Sequence, residues 1–418
     1  MRDQEPGPGH PERRLTTKEA AELLGVKPET VYAYVSRGRL GSRRVPGGRG
    51  STFDAQEVEA LARRNRREGS GSPGSGGEQA VRTRLTLIRE DRYYYRGVDA
   101  TELATRHSYE EVAEWLWTGR MRHGAAFVAP RAAVEAARHA AGALPGHAGP
   151  TDRLRVAAIA AAVADPLRFD LSTDTVLGAA RGLLPTLVAA LPPKTSTHRD
   201  GGSLAQQLWG RLSRQPAAEA PLHVLDTALA LLADHDLAVS TLAVRAAAGA
   251  RAHPYAAVTA GLGVIEGPLH GAASGLAHRL VLDVLDRGSA GPVIAEELRA
   301  GRRIPGLGHR LYAQEDPRAR VLFALLSEIP EAAPALAAAR DIVDTTARHT
   351  PLHANVDLAL AVLTASCGME PSAGETVFAV ARTAGWIAHA LEEYGERPLR
   401  MRPSGVYVGP EPPRPVPE

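Results

Sequence analysis

The chain contains a single cysteine, Cys367, among its 418 residues. An intrachain disulfide is therefore excluded, and cysteine usage does not indicate an oxidising compartment. Long apolar runs are also missing, because stretches such as residues 156–164 are shorter than the roughly 20 residues that a membrane span needs. The first 14 residues have no apolar segment of the kind a signal peptide requires. These features predict a soluble cytoplasmic protein with no membrane partner.

Lysine is almost absent and occurs only at Lys18, Lys27 and Lys194, although lysine and arginine together number 49. Basic charge is thus carried by arginine and is unevenly placed, so the net charge of +2 says little by itself. The apolar fraction of 44% is enough for a substantial core. A chain of this length is expected to form two or three domains.

The N-terminal region predicts a small DNA-binding-like domain. Residues 1–14 are rich in Pro, Gly and charge, which predicts disorder. In the following unit, residues 15–67, Thr16 and Glu19 have capping-box spacing, and Pro28 suits the start of a second helix that buries Val31 and Val35. A glycine-tipped hairpin over 43–50 and a third helix over 55–67 complete a winged helix-turn-helix. This unit resembles excisionase/MerR-type modules.

Arginine dominates the charge of this unit, and such an excess suits contacts with DNA phosphates. A helix-turn-helix followed by a basic wing favours double-stranded DNA as the partner. The alternative is a protein-binding module whose arginine face is solvated. The candidate DNA contacts are Thr30, Tyr32, Arg37, Arg43, Arg44 and Arg49.

Residues 68–80 are Gly- and Ser-rich and predict a flexible linker between two parts of the chain. From residue 81 a short β-like segment gives way to helical periodicity that continues almost to the end. Because no alternation long enough for a large sheet follows, this region is predicted to be nearly all-α.

Three breaks in this helical pattern each supply one polar side chain. His270 lies in GPLHG, His309 in GLGHRLYAQEDPRA and Asp357 in HANVD. Two imidazoles and a carboxylate can remove a proton from carbon beside one carbonyl and activate a second carbonyl. Each also has a plain alternative: a helix-capping histidine, a surface-loop histidine, and the N-cap of a helix over 358–366.

The order and flanks of these patches, with YYYRGVDATELA, LADHDLAVST, ARTAGWIAH and RPSGVYVG, resemble the citrate synthase family over about residues 83–409. The resemblance implies the all-α citrate synthase fold. A large helical domain would comprise residues 81–271 and 369–418, and a small helical domain residues 272–368. Closure of the small domain would exclude water from a cleft between them.

The resemblance also implies the chemistry. Asp357 would take a proton from the methyl group of acetyl-CoA, and His270 would stabilise the enolate through the thioester oxygen. His309 would polarise the ketone of oxaloacetate and protonate the alkoxide. Citrate and CoA would be the products, and this chemistry requires no metal and no cofactor besides the substrate acetyl-CoA.

Substrate contacts follow from the same resemblance. Arg318, Arg382 and Arg402 would bind the carboxylates of oxaloacetate, with His235 as a further contact. In the family the last arginine reaches the neighbouring subunit, which implies a homodimer. The segment Ile304, Pro305, Gly306, Leu307 and Gly308 would offer backbone groups to CoA.

Several positions near the expected substrate sites depart from the family pattern, namely Leu232, Ala238, Ala272, Ser274, Gly275 and Gln314. They leave open a 2-methylcitrate synthase that uses propionyl-CoA, because one extra methylene in a pocket changes binding by only a few kcal/mol. They also leave open a transcriptional regulator whose synthase-like domain senses a metabolite.

Overall fold

The computed structural model describes residues 14–24, 26, 28–36, 40–44, 51–59, 61, 81–195, 201–267, 270–271, 273–401, 407–410 and 414. The chain divides into two compact units, Met1–Ala80 with Ser404–Glu418, and Val81–Pro403. Each unit has its own cluster of buried apolar side chains. Residues 1–13, the linker 68–80, Arg37, Arg49 and Arg402 lie outside the described residues, as does the side chain of Arg44.

The first unit has the order strand, two helices, two strands and a helix. Its elements are β1 Arg14–Thr16, α1 Thr17–Leu24, α2 Pro28–Ser36, β2 Arg43–Arg44, β3 Ser51–Asp54 and α3, residues 55–59. The predicted capping box is present, because Thr16 N donates to Glu19 Oε2 and Glu19 N donates to Thr16 Oγ1. Helices α1 and α2 followed by the paired strands β2 and β3 agree with the predicted winged helix-turn-helix, while the glycine-rich tip 45–50 and residues 62–67 lie outside the described residues.

The three strands of this unit form an antiparallel sheet in the order β1-β3-β2. The sheet places the fully buried Phe53 beside Val31 of α2 and Val58 of α3 in one small core. Removal of such side chains from water is what holds a unit of this size together.

The second unit begins with the β-like segment read from the sequence. It folds as β4 Thr86–Arg89, β5 Arg92–Tyr95 and β6 Val98–Asp99, an antiparallel sheet in chain order. Tyr93 and Tyr95 are fully buried. The Tyr95 hydroxyl donates to the carbonyls of Leu231 and Asp234, at 3.0 and 2.9 Å. The small sheet is thus hydrogen-bonded to the segment that carries His235.

Helices make up the rest of the second unit, as the sequence predicts. They are α4 Ala100–Arg106, α5 Tyr109–Thr118, α6 Arg131–Gly142, α7 Pro150–Ala164, α8 Thr173–Ala190, α9 Leu204–Leu212, α10 Glu219–Leu232, α11 Val239–Gly249, α12 Pro254–Ile265, α13 Ala273–Arg287, α14 Ala290–Arg299, α15 Pro317–Leu326, α16 Ala333–Ala347, α17 Val356–Ser366 and α18 Ala373–Tyr394.

Helix α18 is the longest of these described helices and is buried along most of its length. It packs against α5, α8, α10, α11 and α12, so it is surrounded by apolar helix faces. Its polar side chains Arg382 and His389 are buried too. Buried polar groups need partners, and theirs come from the segment around His235.

Among the described residues, no single helix is both long and apolar enough to cross a membrane. Helices Pro317–Leu326 and Pro330–Ala347 meet the length and composition requirement only as a pair, and a 116° bend separates them.

Candidate active site

His235, His309 and Tyr312 form a compact aromatic cluster. The two imidazole rings meet edge to face with centroids 5.2 Å apart, and the His309 ring lies 4.7 Å from that of Tyr312. His235 Nε2 and the Tyr312 hydroxyl are hydrogen-bonded at 2.6 Å. Two of the predicted substrate-contacting histidines are therefore brought together by a tyrosine.

Arg318 is held against this cluster by Asp316. The guanidinium donates two hydrogen bonds to the carboxylate, Nε to Oδ1 at 2.9 Å and Nη2 to Oδ2 at 2.8 Å. Burial raises the pKa of Asp316, but the contact with Arg318 outweighs it and keeps the pKa below its ordinary value. The fork fixes the plane of the guanidinium, with its centre 5.8 Å from the Tyr312 ring.

Asp316 also connects Arg318 to the helix that carries Asp357. It is the N-cap of α15, and its Oδ2 accepts a hydrogen bond from Val356 N, the first residue of α17. One carboxylate thereby orders two helix starts and one arginine.

Asp357 lies in the first turn of α17 and is not its N-cap. Asn355 has that position, and its side chain accepts a hydrogen bond from Asp357 N at 3.0 Å. The plain capping alternative for Asp357 is therefore wrong, because the cap is already supplied. Desolvation raises the pKa of the Asp357 carboxyl to about 6, against a lowering influence of Arg318. A carboxylate so destabilised is a stronger base than an exposed one.

The predicted CoA segment is anchored beside Asp357. Leu307 and Ala354 form a β-bridge, Gly308 N donates to His353 O, and Asn355 N donates to Gly306 O. Gly306 has φ +82°, and a Cβ there would lie 2.8 Å from the Cβ of Leu358 on α17. Glycine is thus required twice over, by backbone conformation and by close approach.

His309 follows this segment, and burial lowers its pKa to about 4, helped by Arg318. Leu311 N donates to His309 Nδ1 at 3.1 Å. Because the amide can only donate, Nδ1 accepts, and the neutral ring carries its proton on Nε2.

His270 occupies the turn that precedes α13, as the sequence indicates for a residue before a helix. Its Nε2 is 2.8 Å from the Ser240 hydroxyl, and its ring lies edge-on to Phe378 at 5.8 Å. Desolvation, followed by the charge of Arg382, lowers its pKa to about 4. The imidazole is therefore neutral near pH 7.

Arg382 on α18 is buried and oriented from two sides. Its Nε donates to Leu232 O at 2.9 Å, and its guanidinium centre lies 4.6 Å from the Phe378 ring centroid. Its charge lowers the pKa of both His270 and His235. Arg318 lowers the pKa of His235, His309 and Asp357. The two arginine charges therefore act on all four titrating groups.

Of the residues predicted from sequence, those described in the second unit fall into two groups of contacts, one around Tyr312 and one around Phe378. His235, His309 and Arg318 surround Tyr312, and Asp316 reaches the backbone of Val356, which precedes Asp357. His270 and Arg382 meet at the Phe378 ring, and the charge of Arg382 also acts on His235. Contacts of the predicted substrate-binding residue Arg402 are not described, because that residue lies outside the described part of the chain.

Sequence reasoning missed Tyr312, Asp316 and Ser240. Tyr312 and Asp316 lie in the same GLGHRLYAQEDPRA patch as His309, so their proximity was a usable signal. Ser240 lies in the LADHDLAVST patch, but its contact with His270 joins segments 30 residues apart and appears only in the fold.

A buried polar network beneath His235 was also missed. His389 Nε2 lies 3.2 Å from Asp234 Oδ1, and Arg245 connects His389 to Glu392 at 2.8 Å on each side. Asp234, His389 and Arg245 are almost completely buried. The network fixes the residue that precedes His235 in the chain.

The departures from the family pattern have different surroundings. Leu232 contributes its carbonyl to Arg382, which does not depend on its side chain. A Cβ at Gly275 would lie 3.1 Å from Pro371 O, so the site has little room for a larger residue. Ser274 is buried, Ala238 is the N-cap of α11 without a side-chain bond, and Gln314 is exposed. Ala272 lies outside the described residues.

In the first unit, the candidate DNA contacts divide by position. Tyr32 on α2 is 49% exposed, and its hydroxyl is 3.3 Å from Thr17 Oγ1. Thr30 is partly buried on the same helix, and Arg43 is exposed on the wing strand β2. Arg44 also lies on β2.

A carboxylate, two neutral imidazoles and two buried arginines in a largely helical unit suit a class of enzyme, an acyltransferase that joins two carbonyl compounds. The family model "Citrate synthase, C-terminal domain" matches residues 74–404. This chain belongs to the citrate synthase family. A second family model, a helix-turn-helix domain, matches residues 14–66.

This chain covers almost the full length of several named relatives. Citrate synthase 2 of Bacillus subtilis is 28% identical over an alignment that covers 81% of this chain and 96% of the relative. Citrate synthase of Haloferax volcanii is 29% identical, and the alignment covers 80% of this chain and 95% of the relative. The 2-methylcitrate synthase of Shewanella oneidensis is 26% identical over 84% and 97%.

Solved structures agree on the fold. Citrate synthase from Thermotoga maritima superposes with a TM-score of 0.65 at 25% identity, over 82% of this chain and 96% of its own. A ternary complex of the Thermoplasma acidophilum enzyme with carboxymethyl-CoA and oxaloacetate gives 0.65 at 24% identity, over 81% and 96%.

Proposed function

We propose that this enzyme condenses acetyl-CoA with oxaloacetate and water to give citrate and CoA. The observation that carries the proposal is that Asp316, hydrogen-bonded to Val356 N next to Asp357, also holds Arg318 against the His235–His309–Tyr312 cluster. The raised pKa of Asp357 and the buried cations Arg318 and Arg382 support a base that acts together with a dicarboxylate site.

The first step is proton removal from the methyl carbon of acetyl-CoA. The Asp357 carboxylate takes the proton, and the electron pair moves onto the thioester oxygen. A neutral His270 donates a hydrogen bond to that oxygen, with Ser240 holding the ring. The donor needs no positive charge, because a positioned neutral imidazole stabilises an enolate in a site that excludes water.

The second step forms the carbon–carbon bond. The enolate carbon attacks the ketone carbon of oxaloacetate, whose oxygen accepts from the Nε2–H of His309. That proton moves to the alkoxide as the bond forms. Arg318, Arg382 and His235 hold the carboxylates, with Arg402 as the expected further contact. Water then attacks the citryl thioester carbon and the carbon–sulfur bond breaks; one proton of the water goes to the departing CoA thiolate and the other is released as the new carboxylate ionises. The proton held by Asp357 returns to His309 through solvent, which restores both groups.

The test is CoA release by the purified protein, compared with Asp357→Asn. We expect turnover in the wild type and a loss of roughly 10²–10⁴-fold in the variant, the usual range for removing a general base. The control is Asp344→Asn, an exposed carboxylate on α16, which should keep full activity. A folded wild type without turnover, or an active Asp357→Asn, would overturn the assignment.

Propionyl-CoA is the competing acyl substrate, because a relative of similar identity is named 2-methylcitrate synthase. The ratio of kcat/KM values for the two thioesters decides between them. A ratio in favour of propionyl-CoA assigns the methylcitrate reaction and leaves the roles of Asp357, His270 and His309 unchanged.

We also propose a homodimer in which Arg402 acts at the partner's site. An exposed apolar set on and after α7, formed by Ile159, Val163, Leu167 and Phe169, supports a covered face. Mixing two inactive variants, Asp357→Asn and Arg402→Ala, should partly restore activity, because a mixed dimer has one intact site. Failure to restore activity in a demonstrated mixed dimer would contradict sharing of Arg402.

For the first unit we propose binding of double-stranded DNA. Its support is the helix-turn-helix family match with the exposed Tyr32 and Arg43 on helix and wing. A labelled duplex of arbitrary sequence should bind the full chain with an affinity that falls steeply with salt. Arg43→Ala should reduce the salt slope by about one, as expected for one lost phosphate contact. Arg131→Ala, on the second unit, is the control.

Loss of duplex binding on deleting residues 1–80 would complete the test. Undiminished binding after that deletion would place the contact elsewhere. If the full chain binds no duplex at low salt, the unit is a protein-binding module. The cytoplasmic location stays a prediction.

A further inference from the structure

Three potential metal ligands converge at the start of α5, on a surface that the condensation reaction does not use. They are His107, which ends α4, Glu111 in the first turn of α5, and His123, five residues after the helix ends. Their ligand atoms all lie within 4.8 Å of one another. Two imidazoles and a carboxylate are a recurrent donor set for first-row transition metals.

The distances suit one shared ion that is bound by both oxygens of the Glu111 carboxylate. Glu111 Oε2 is 3.2 Å from His107 Nδ1, and Glu111 Oε1 is 3.8 Å from His123 Nδ1. Two ligands each bound at about 2.0–2.1 Å in tetrahedral geometry lie about 3.3 Å apart. The first pair already has this spacing. The second needs a movement of about half an ångström, which the exposed His123 ring can make.

The backbone holds the carboxylate in place independently of the histidines. Ser108 N donates to Glu111 Oε2 at 3.2 Å, and Gly124 N donates to Oε1 at 2.8 Å. The chain after α5 therefore runs back along the helix and returns His123 to its N-terminal end. Such hydrogen bonds to a ligating carboxylate orient it and are typical of built metal sites.

Charge at the cluster also favours a cation. The nearby Arg122 pairs with Glu114 at 3.6 Å, which reduces its repulsion of an incoming ion. His123 is 76% exposed and His107 22%, so water can reach the remaining coordination positions.

We propose that His107, Glu111 and His123 bind one first-row transition-metal ion, of the class of Zn²⁺, with water in the open positions. Imidazole ligands exclude Mg²⁺ and Ca²⁺ as the preferred ions, since these take oxygen donors. The bound ion would fasten the segment after α5 to the start of that helix. Helix α5 in turn contacts α18 through Trp117, whose Nε1 donates to Ala384 O.

The test is titration of the untagged full chain with Zn²⁺ by calorimetry, with Co²⁺ absorption as a report on coordination. We expect one ion per chain in the wild type and binding weaker by at least about tenfold in His123→Ala. This variant keeps both backbone hydrogen bonds to Glu111, so the fold at the helix start is retained. CoA release by His123→Ala should be unchanged.

His139→Ala, an exposed histidine on α6, is the matched control and should bind zinc like the wild type. Glu111→Gln should weaken binding as well and should be compared at equal helical content, since Glu111 also caps α5. Equal zinc affinity in the wild type and His123→Ala would overturn the proposal. The proposal would also be overturned if the wild type bound no zinc at about 100 μM, a concentration well above the dissociation constants of built zinc sites.

Discussion

Tyr312 and Asp316 hold the polar groups of the active site in place from the same loop. Tyr312 connects to His235, and Asp316 to Arg318 and the start of α17. Neither is required by the reaction as an acid or base. Both act by fixing the direction of groups that would otherwise have several rotamers, which is how a site becomes preorganised for its substrate.

Tyr312→Phe removes the hydroxyl that contacts His235 and leaves the ring packing intact. We expect KM for oxaloacetate to rise about 5–30-fold, the equivalent of roughly 1–2 kcal/mol for one hydrogen bond, with a smaller change in kcat. Steady-state kinetics measure both. Tyr94→Phe on β5, outside this cluster, is the control. An unchanged KM would mean that His235 is oriented without Tyr312.

The pH dependence of activity should report Asp357. Its pKa is raised to about 6, and the base must be ionised, so kcat/KM should fall as pH drops through about 6. His270 and His309 have pKa values of about 4 and remain neutral over this range. The expected acid limb therefore has the slope of a single group. A limb centred near pH 4 would contradict the raised pKa of Asp357.

At the scale of elements, the loop before His309 depends on its contact with α17. Its hydrogen bonds to residues 353–355 place it one turn from Asp357. The proposed CoA-binding loop and the base Asp357 can be adjacent only if this loop packs correctly against the start of α17. The close approach of Gly306 to Leu358 is what permits that placement.

Gly306→Ala should raise KM for acetyl-CoA and lower the free energy of unfolding by roughly 1–3 kcal/mol, from backbone strain and overpacking together. Gly301→Ala is a matched control, because Gly301 also has positive φ but a Cβ there meets nothing within 4 Å. Denaturant unfolding and CoA-release kinetics of the pair separate the two causes. Equal effects of both substitutions would leave no role for the contact with Leu358.

Several elements could be predicted because their signals are local. The capping box of Thr16 and Glu19, Pro28 at a helix start, and the β-like segment around Tyr93 all appear where the sequence places them. The start of α17 was misplaced by two residues, because Asp357 and Asn355 are both good caps. Only the backbone hydrogen bond from Asp357 N to the Asn355 side chain distinguishes them.

For the whole molecule, two separate apolar cores predict that the units fold independently. Deletion of residues 1–80 should leave kcat and KM for both substrates within about twofold of the full chain, since the described site residues all belong to Val81–Pro403. Circular dichroism and kinetics on the shortened chain check this. Loss of turnover in a folded shortened chain would show that the first unit contributes to catalysis.

The sequence alone determined the two-part organisation, the helical class and the residue types of the reaction. Helix starts, a Gly/Ser linker and motifs such as GPLHG are properties of neighbouring residues, so they can be read without a fold. The tertiary structure decided the Tyr312–His235 bond, the Asp316 fork that reaches Val356, and the buried network beneath His235. It also decided the pKa of Asp357, because desolvation and the field of Arg318 depend on how segments remote in sequence pack together.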